Sequence, residues 1–175
     1  GGFIVGFDND PPHIFEQMIQ FIQKSGIVTA MVGLLNAPSG TRLFQRLKSE
    51  ERLLKVSSGN NTDGTMNFIP KMDYQKLQQG YRNILKTIYS QREYYERMKT
   101  FLREYRPPLK KSTGIKFQDI KALIKSFWIL GIMERGRRFY WKLMVYTLLK
   151  HPRKFALSVT LAIYGYHFRR IAQTI

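Results

Sequence analysis

The chain has 175 residues, 43% apolar and 23% charged, proportions that belong to a folded protein and exclude wholesale disorder. It has no cysteine, which excludes disulfides, thiolate zinc sites and any iron–sulfur cluster held by these residues alone. The net charge of +17 is unevenly placed: residues 1–70 balance six basic against six acidic side chains, so residues 71–175 carry the whole excess. Two differently built segments therefore meet near Pro70, and the basic one calls for an anionic partner.

The first dozen residues, Gly1 to Pro12, read as a strand, an acidic turn and the start of a helix. Phe3, Ile4 and Val5 form a short apolar run between glycines, which suits a strand buried on both faces. Gly2 and Gly6 remove side chains where a ligand or another backbone could approach. Asp10 stands where a helix N-cap would, and Pro11 where the first helical residue would. Capping and contact with a cofactor are compatible roles for Asp10. Strand, small residue, acidic turn and helix is how many α/β proteins place a cofactor at the carboxyl edge of a sheet. A strand beginning almost at the first residue, with no starting methionine, leads to the expectation of a tail end of a larger protein.

Phe15, Met18, Ile19 and Ile22 then repeat at helical spacing, and Lys24 and Gly26 are stop signals. Ile27 to Leu35 reads as a second buried parallel strand. It runs into the turn-rich loop Asn36 to Thr41 and a helix around Leu43, Phe44 and Leu47. Both strand-to-helix turns of this β-α-β-α unit fall on one edge of the sheet. The loop Pro38 to Thr41 lacks the lysine and spacing of a phosphate-binding loop and reads as a turn. Asp8 and Asp10 have no third acid or histidine beside them, and His13, His151 and His167 are scattered, so no metal ligand is assigned. Residues 57–70 make a long polar loop, of the kind that disorders or covers a site. Asn60-Asn-Thr62 has the form of a glycosylation sequon, with nothing else to indicate secretion.

In the basic part, Asp73 caps a helix carrying Leu77, Tyr81, Ile84, Leu85 and Ile88 on one face. Ser90-Gln-Arg-Glu93 is a capping box opening a second helix with Tyr94, Met98, Phe101, Leu102 and Tyr105. This aromatic stripe reads as core in preference to a nucleic-acid platform. Pro107-Pro108 ends the pair and a short linker follows. Three more helices are expected, over about 117–132, 136–150 and 153–172. The uncharged run Phe155 to Phe168 has fourteen residues, short of the roughly 20 that span a bilayer. Its basic flanks suit either a helix lying in the membrane interface or a core helix with solvated ends. No nucleic-acid recognition module is visible, which ranks nucleic acid below membrane as a partner. No acid–base pair or nucleophile constellation emerges.

Gly2-Phe-Ile-Val-Gly6, followed by an acidic loop and a helix, resembles the late-strand G-x-I-x-G motif of radical S-adenosylmethionine enzymes. Asn36-Ala-Pro-Ser-Gly-Thr-Arg-Leu-Phe-Gln-Arg-Leu47 resembles the P-G-T-P-L-Y strand end and helix of cobalamin-binding members, departing from it at Ser39 and Arg42. Asn61 to Pro70, Gly80-Tyr-Arg82, Ile88 to Arg97 and Thr160 to Arg170 are similar to the C-terminal extension of the subgroup that includes the hopanoid C-2 methylase.

The resemblance implies an α/β plus α fold: the last two βα units of a partial TIM-like radical S-adenosylmethionine barrel, followed by an all-helical extension. Its divisions are barrel units at 1–56, a loop or active-site cover at 57–72, a helix pair at 73–106, a linker at 107–116 and a basic helical extension at 117–175. Gly2, Ile4, Gly6 and Asp10 would line an adenine pocket, with Leu35, Asn36, Pro38, Gly40 and Thr41 as a second wall. The 4Fe–4S cluster and cobalamin are expected in an upstream part, so this chain could not start the radical chemistry by itself. The implied whole is a methyltransferase acting on an unactivated carbon of a small-molecule or lipid-like substrate. The implied partners are the upstream barrel and cobalamin domains and an anionic membrane surface, and the implied location is cytoplasmic, peripheral to the inner face of the membrane. The alternative is a non-catalytic basic helical module that binds anionic membranes or RNA.

Overall fold

The computed structural model describes residues 1–55, 64–106 and 117–174. In chain order the elements are β1 (Gly2–Val5), α1 (Ile14–Lys24), β2 (Met31–Leu34), α2 (Arg42–Ser49), α3 (Tyr74–Ile88), α4 (Gln91–Glu104), α5 (Phe117–Trp128), α6 (Arg137–Lys150) and α7 (Phe155–Thr174). A π-helical turn, Ile129–Met133, follows α5, and a 3-10 turn, Pro152–Lys154, precedes α7. The result is a small α/β unit continued by helices, and helix predominates. The linker expected at 107–116, with Pro107-Pro108, and the sequon at Asn60 lie outside the described residues.

β1 and β2 pair in parallel, Gly2 opposite Met31 and Val5 opposite Leu34. Because strand side chains alternate, Phe3, Val5, Val32 and Leu34 share one face, and Gly2, Ile4, Met31 and Gly33 the other. The first face is covered by helices: Val5, Val32 and Leu34 are buried, and the Phe3 ring meets Phe21 of α1 edge-on at 6.0 Å. The second is open, with Ile4 50% and Met31 61% exposed. The expectation of a strand buried on both faces is corrected here, because Ile4 and Met31 on the second face remain exposed.

Three boundaries differ from expectation. α1 begins at Ile14 instead of Pro11, and Asp10 does not cap it, because its carboxylate is committed to the turn behind it. β2 is shorter than the apolar run Ile27 to Leu35. Its first residues are held by side chains instead of a neighbouring strand: Arg97 donates to the Val28 carbonyl at 3.1 Å and Tyr89 to that of Ala30 at 2.8 Å. The helix expected to reach about 132 widens into the π turn at Ile129, where the Trp141 indole donates to the Gly131 carbonyl at 2.9 Å.

The helix pair forms where the spacing placed it. Asp73 caps α3 and Ser90 caps α4, and Leu77, Tyr81, Ile84, Ile88, Tyr94, Met98 and Leu102 are buried. Arg97 is an unexpected member of this core at 1% exposure. Its guanidinium lies over the Tyr94 and Tyr89 rings, 5.3 and 5.9 Å from their centroids, and also bonds Gln23 of α1. Burial pushes its pKa down. α3 packs on α1 and on β2, while α7 packs on α3, α4 and α6. Val159, Leu161 and Ala162 of the run Phe155 to Phe168 are buried in that packing, so the inward side of α7 is core. Among the described residues no helix is long and apolar enough to cross a membrane.

Candidate cofactor-binding site

β1 ends in a turn that only glycine enters easily: Gly6 has φ +103°, and a Cβ there would lie 3.2 Å from Met66 Cε. The turn aims two backbone donors at one acceptor. Gly6 N–H and Phe7 N–H donate to Asp10 Oδ2 at 2.7 and 3.0 Å, and Asp10 N–H closes back on the Phe7 carbonyl at 3.1 Å. Asp8 is held differently. Arg52 donates to its two oxygens at 2.7 and 3.0 Å, and Arg46 adds a bond of 2.9 Å. The Arg52 hydrogen bond holds the Asp8 carboxyl below its ordinary value, and Asp8 raises the Arg52 guanidinium in return.

Past β2, Leu35 N–H donates to the Val5 carbonyl at 2.8 Å and carries the pairing one residue further. Two asparagines then fasten a second segment over the strand ends. The Asn67 amide accepts from Ala37 N–H at 2.8 Å and donates to the Ala37 carbonyl at 2.9 Å, the two bonds an adjacent strand would make. Asn36 returns the contact, accepting from Asn67 N–H at 3.1 Å and donating to the Thr65 carbonyl at 3.2 Å. Asn67 is 1% exposed, and every polar atom of its amide is engaged, as burial requires. Thr41 accepts from Phe44 N–H at 3.2 Å and donates to the Pro38 carbonyl at 2.8 Å. Pro38 to Thr41 is thus a turn that starts α2.

A cavity of about 650 Å³ is lined by residues from both faces of the strand pair. Gly2, Phe3 and Ile4 of β1, Ala30, all of β2, and Leu35, Asn36 and Pro38 form one side of it. Leu85 and Tyr89 at the end of α3, with Phe168, Ile171 and Ala172 of α7, form the other. Tyr89 and Phe168 stack at 5.3 Å. The Tyr89 hydroxyl, buried and tied to Ala30, has its pKa pushed up by that burial and stays protonated.

Five of the nine sequence-assigned residues, Gly2, Ile4, Leu35, Asn36 and Pro38, thus meet at one cavity. The other four are not in its wall. Gly6 and Asp10 build the turn below β1, and Gly40 and Thr41 build the entry to α2. Sequence reasoning missed Met31 and Gly33, although strand alternation places them beside Ile4. It also missed Asn67, Tyr89 and Phe168 as site residues, although all three stand in the quoted motifs. A wall of two glycines and apolar side chains, with the Asn36 amide at its edge, suits a flat, largely apolar group lying along the strands. A 4Fe–4S cluster does not fit these residues, since no cysteine is present and no group of three His, Asp or Glu converges among the described residues.

The family described as "Domain of unknown function (DUF4070)" matches residues 41–175. The chain belongs to that family. An uncharacterized methyltransferase of Synechocystis is 31% identical over 170 residues, covering 95% of this chain and 32% of that protein. A hopanoid C-2 methylase of Rhodopseudomonas palustris is 24% identical over 157 residues, covering 85% of this chain and 29% of that protein. The subgroup that the motifs pointed to is therefore among the chain's relatives, and the chain spans about a third of the length of the curated relatives it matches. The match to the family takes in α2 to α7 and begins at the residue that caps α2. No solved structure matches the chain.

Proposed function

We propose that this chain is the C-terminal part of a cobalamin-dependent radical S-adenosylmethionine methyltransferase that alkylates an unactivated carbon of a lipid-like substrate. The observation that carries the reading is the meeting of Gly2, Ile4, Leu35, Asn36 and Pro38, drawn from two separate motifs, at one cavity. The names of the two relatives and their greater length support it. In this reading β1 and β2 close a partial TIM-like barrel, and upstream barrel and cobalamin domains dock against the exposed Ile4, Phe7 and Met31. Residues 1–56, 57–72, 73–106, 107–116 and 117–175 are the barrel units, cover, helix pair, linker and extension. The protein works at the inner face of the cytoplasmic membrane.

Bound cofactors supply the radical and the methyl group. This chain's part is to bind, orient and exclude water. Gly2 and Gly33 let a purine lie against the strands without a Cβ holding it off. Leu35, Asn36 and Pro38 make the adjoining wall, and the segment fastened by Asn67 covers the strand ends. Gly6 and Asp10 act on the pocket indirectly, by fixing where β1 stops, and Gly40 and Thr41 do the same for β2.

The test is S-adenosylmethionine binding to the full-length protein by equilibrium dialysis. Ile4→Arg should weaken binding at least about tenfold, the effect of 1.4 kcal/mol, while the circular dichroism spectrum stays unchanged. Unchanged affinity in a folded Ile4→Arg protein would remove the cavity from the cofactor site.

A further inference from the structure

The run Phe155 to Phe168 turned out to bury its inward side, yet a different part of the basic half exposes what a lipid surface recognises. On α5 and the π turn, Ile120, Ile124, Trp128 and Ile132 recur every four residues, and they are 45%, 63%, 60% and 53% exposed. On α6, Trp141, Val145, Leu148 and Leu149 repeat at i, i+4, i+7, i+8, and they are 43%, 52%, 53% and 76% exposed. The two stripes adjoin. Tyr140 reaches back to Ser126 at 3.0 Å, and the Trp141 ring lies 5.5 Å from that of Phe127. α5 and α6 therefore meet beside the turn that joins them, with Trp128 and Trp141 both near that turn. The outward surface of the hairpin thus carries an exposed apolar stripe on each helix, each with a tryptophan. Monomeric proteins rarely leave such a face bare unless something docks there.

The rim of that face identifies the occupant. Residues 119–154 hold nine Lys and Arg against Asp119 and Glu134. Lys121 and Lys125 follow the apolar positions of α5, and Lys142 follows Trp141. Arg135, Arg137 and Arg138 crowd the hairpin turn, while Lys150 and Arg153 stand at the other end. Glu134 is turned inward, accepting from Gln91 at 3.0 Å and pairing with Arg169 at 3.6 Å. Long basic side chains around an apolar centre bury their stems and keep their charges at the headgroups. Tryptophan prefers that same interfacial depth.

The geometry points to the outward face of the α5–α6 hairpin as the surface by which this chain docks on an anionic bilayer, in place of the α7 run. A protein partner shaped for this face would have to present an acidic ring around an apolar centre, whereas an anionic leaflet presents that pattern everywhere. The open sheet face, with Ile4 and Met31, is a separate surface. Upstream barrel strands could pair there while the hairpin stays free, since α6 packs on α4 and α7 and α5 on α7. The inference specifies the membrane part of the proposed function and does not depend on the methyl-transfer part.

Trp128 and Trp141 both lie on this face, so the part of the fluorescence signal that a Trp128→Phe, Trp141→Phe variant loses reports the contact. The protein is mixed with vesicles of phosphatidylcholine containing phosphatidylglycerol, and separately with phosphatidylcholine vesicles. Emission should shift to the blue and become quenched by brominated acyl chains with the anionic vesicles, and the shift should shrink with added salt. Ile124→Asp with Val145→Asp, both at exposed positions, should reduce vesicle binding at least about tenfold with an unchanged circular dichroism spectrum. Tyr164→Asp, on the exposed side of α7, should leave binding unchanged.

Three results would overturn the placement: vesicle binding with both tryptophans still open to aqueous quenchers, loss of binding on Tyr164→Asp alone, or a concentration-dependent blue shift without lipid that marks a second copy on the face. Retained S-adenosylmethionine binding alongside absent vesicle binding would discard the membrane surface and leave the cofactor site standing. The converse result would do the opposite.

Discussion

Gly165 offers a substitution whose sign depends on one contact. It is buried on α7, and an added Cβ would press into the Tyr94 ring, with Tyr94 Cδ1 and Cζ only 2.6 Å away. In an unobstructed helix, alanine is better than glycine by about 1 kcal/mol, so Gly165→Ala without that ring would stabilise the protein. Tyr94 has nowhere to go. It is fully buried, its rings neighbour Tyr89 at 5.8 Å and Tyr95 at 6.1 Å, and its hydroxyl donates to the Leu161 carbonyl at 2.7 Å. Overpacking costs about 1–3 kcal/mol, and displacing that hydroxyl adds about 1 kcal/mol. Against the helix-propensity gain, the net loss should be about 1–3 kcal/mol. At roughly 2–4 °C per kcal/mol for a chain of this size, the melting temperature in scanning calorimetry should fall by several degrees. In a Tyr94→Leu background the same Gly165→Ala change should be neutral or stabilising. A rise in melting temperature in the wild-type background would refute the reasoning. So would single costs that add in the double variant to within about 0.5 kcal/mol.

Two further outcomes follow from the turns around the cavity. The Asp8 carboxyl has its pKa depressed below 3.8 by Arg52 and Arg46, so its stabilising effect is complete above that value and is lost as pH falls through the depressed one. In acid titrations followed by circular dichroism, Asp8→Asn should flatten the decline in stability below about pH 4, and an unchanged acid limb would exclude this linkage. Asn67→Leu leaves the Ala37 N–H and carbonyl without the partners that now bond them, at about 1–3 kcal/mol for buried groups. It should speed hydrogen exchange at Ala37 and Leu54 more than on α4, whereas uniform protection would mean the suture holds nothing.

The helices were legible because their information is local. The spacing of Leu77, Tyr81, Ile84 and Ile88, and the caps Asp73 and Ser90, lie within a few residues of what they govern. The parallel strand pair was legible for a similar reason, as two apolar runs separated by one helix. What the sequence hid depends on partners far along the chain. Asp10 has the chemistry of a cap, and only the path of the Gly6 turn decides that it serves Gly6 and Phe7 instead. Arg97 reads as a solvated charge on an amphipathic helix, but two tyrosines, Gln23 and the Val28 carbonyl meet it from other elements. The apolar run of α7 stood out for its lack of charge. The exposed stripes of α5 and α6 did not, because Lys121, Lys125 and Lys142 break the apolar run in the sequence. At the candidate site the strand-end residues were visible, but the opposite wall came from Tyr89 and Phe168, whose position no spacing rule could supply.

The two walls of the cavity also differ in when they exist. A ribosome delivers β1 and β2 first and the Phe168–Ala172 wall only after the helices between them. Until α7 folds back and Phe168 stacks on Tyr89, the strands face an open trough instead of a pocket. An unfinished or C-terminally clipped chain would therefore have the strand motifs without a closed site.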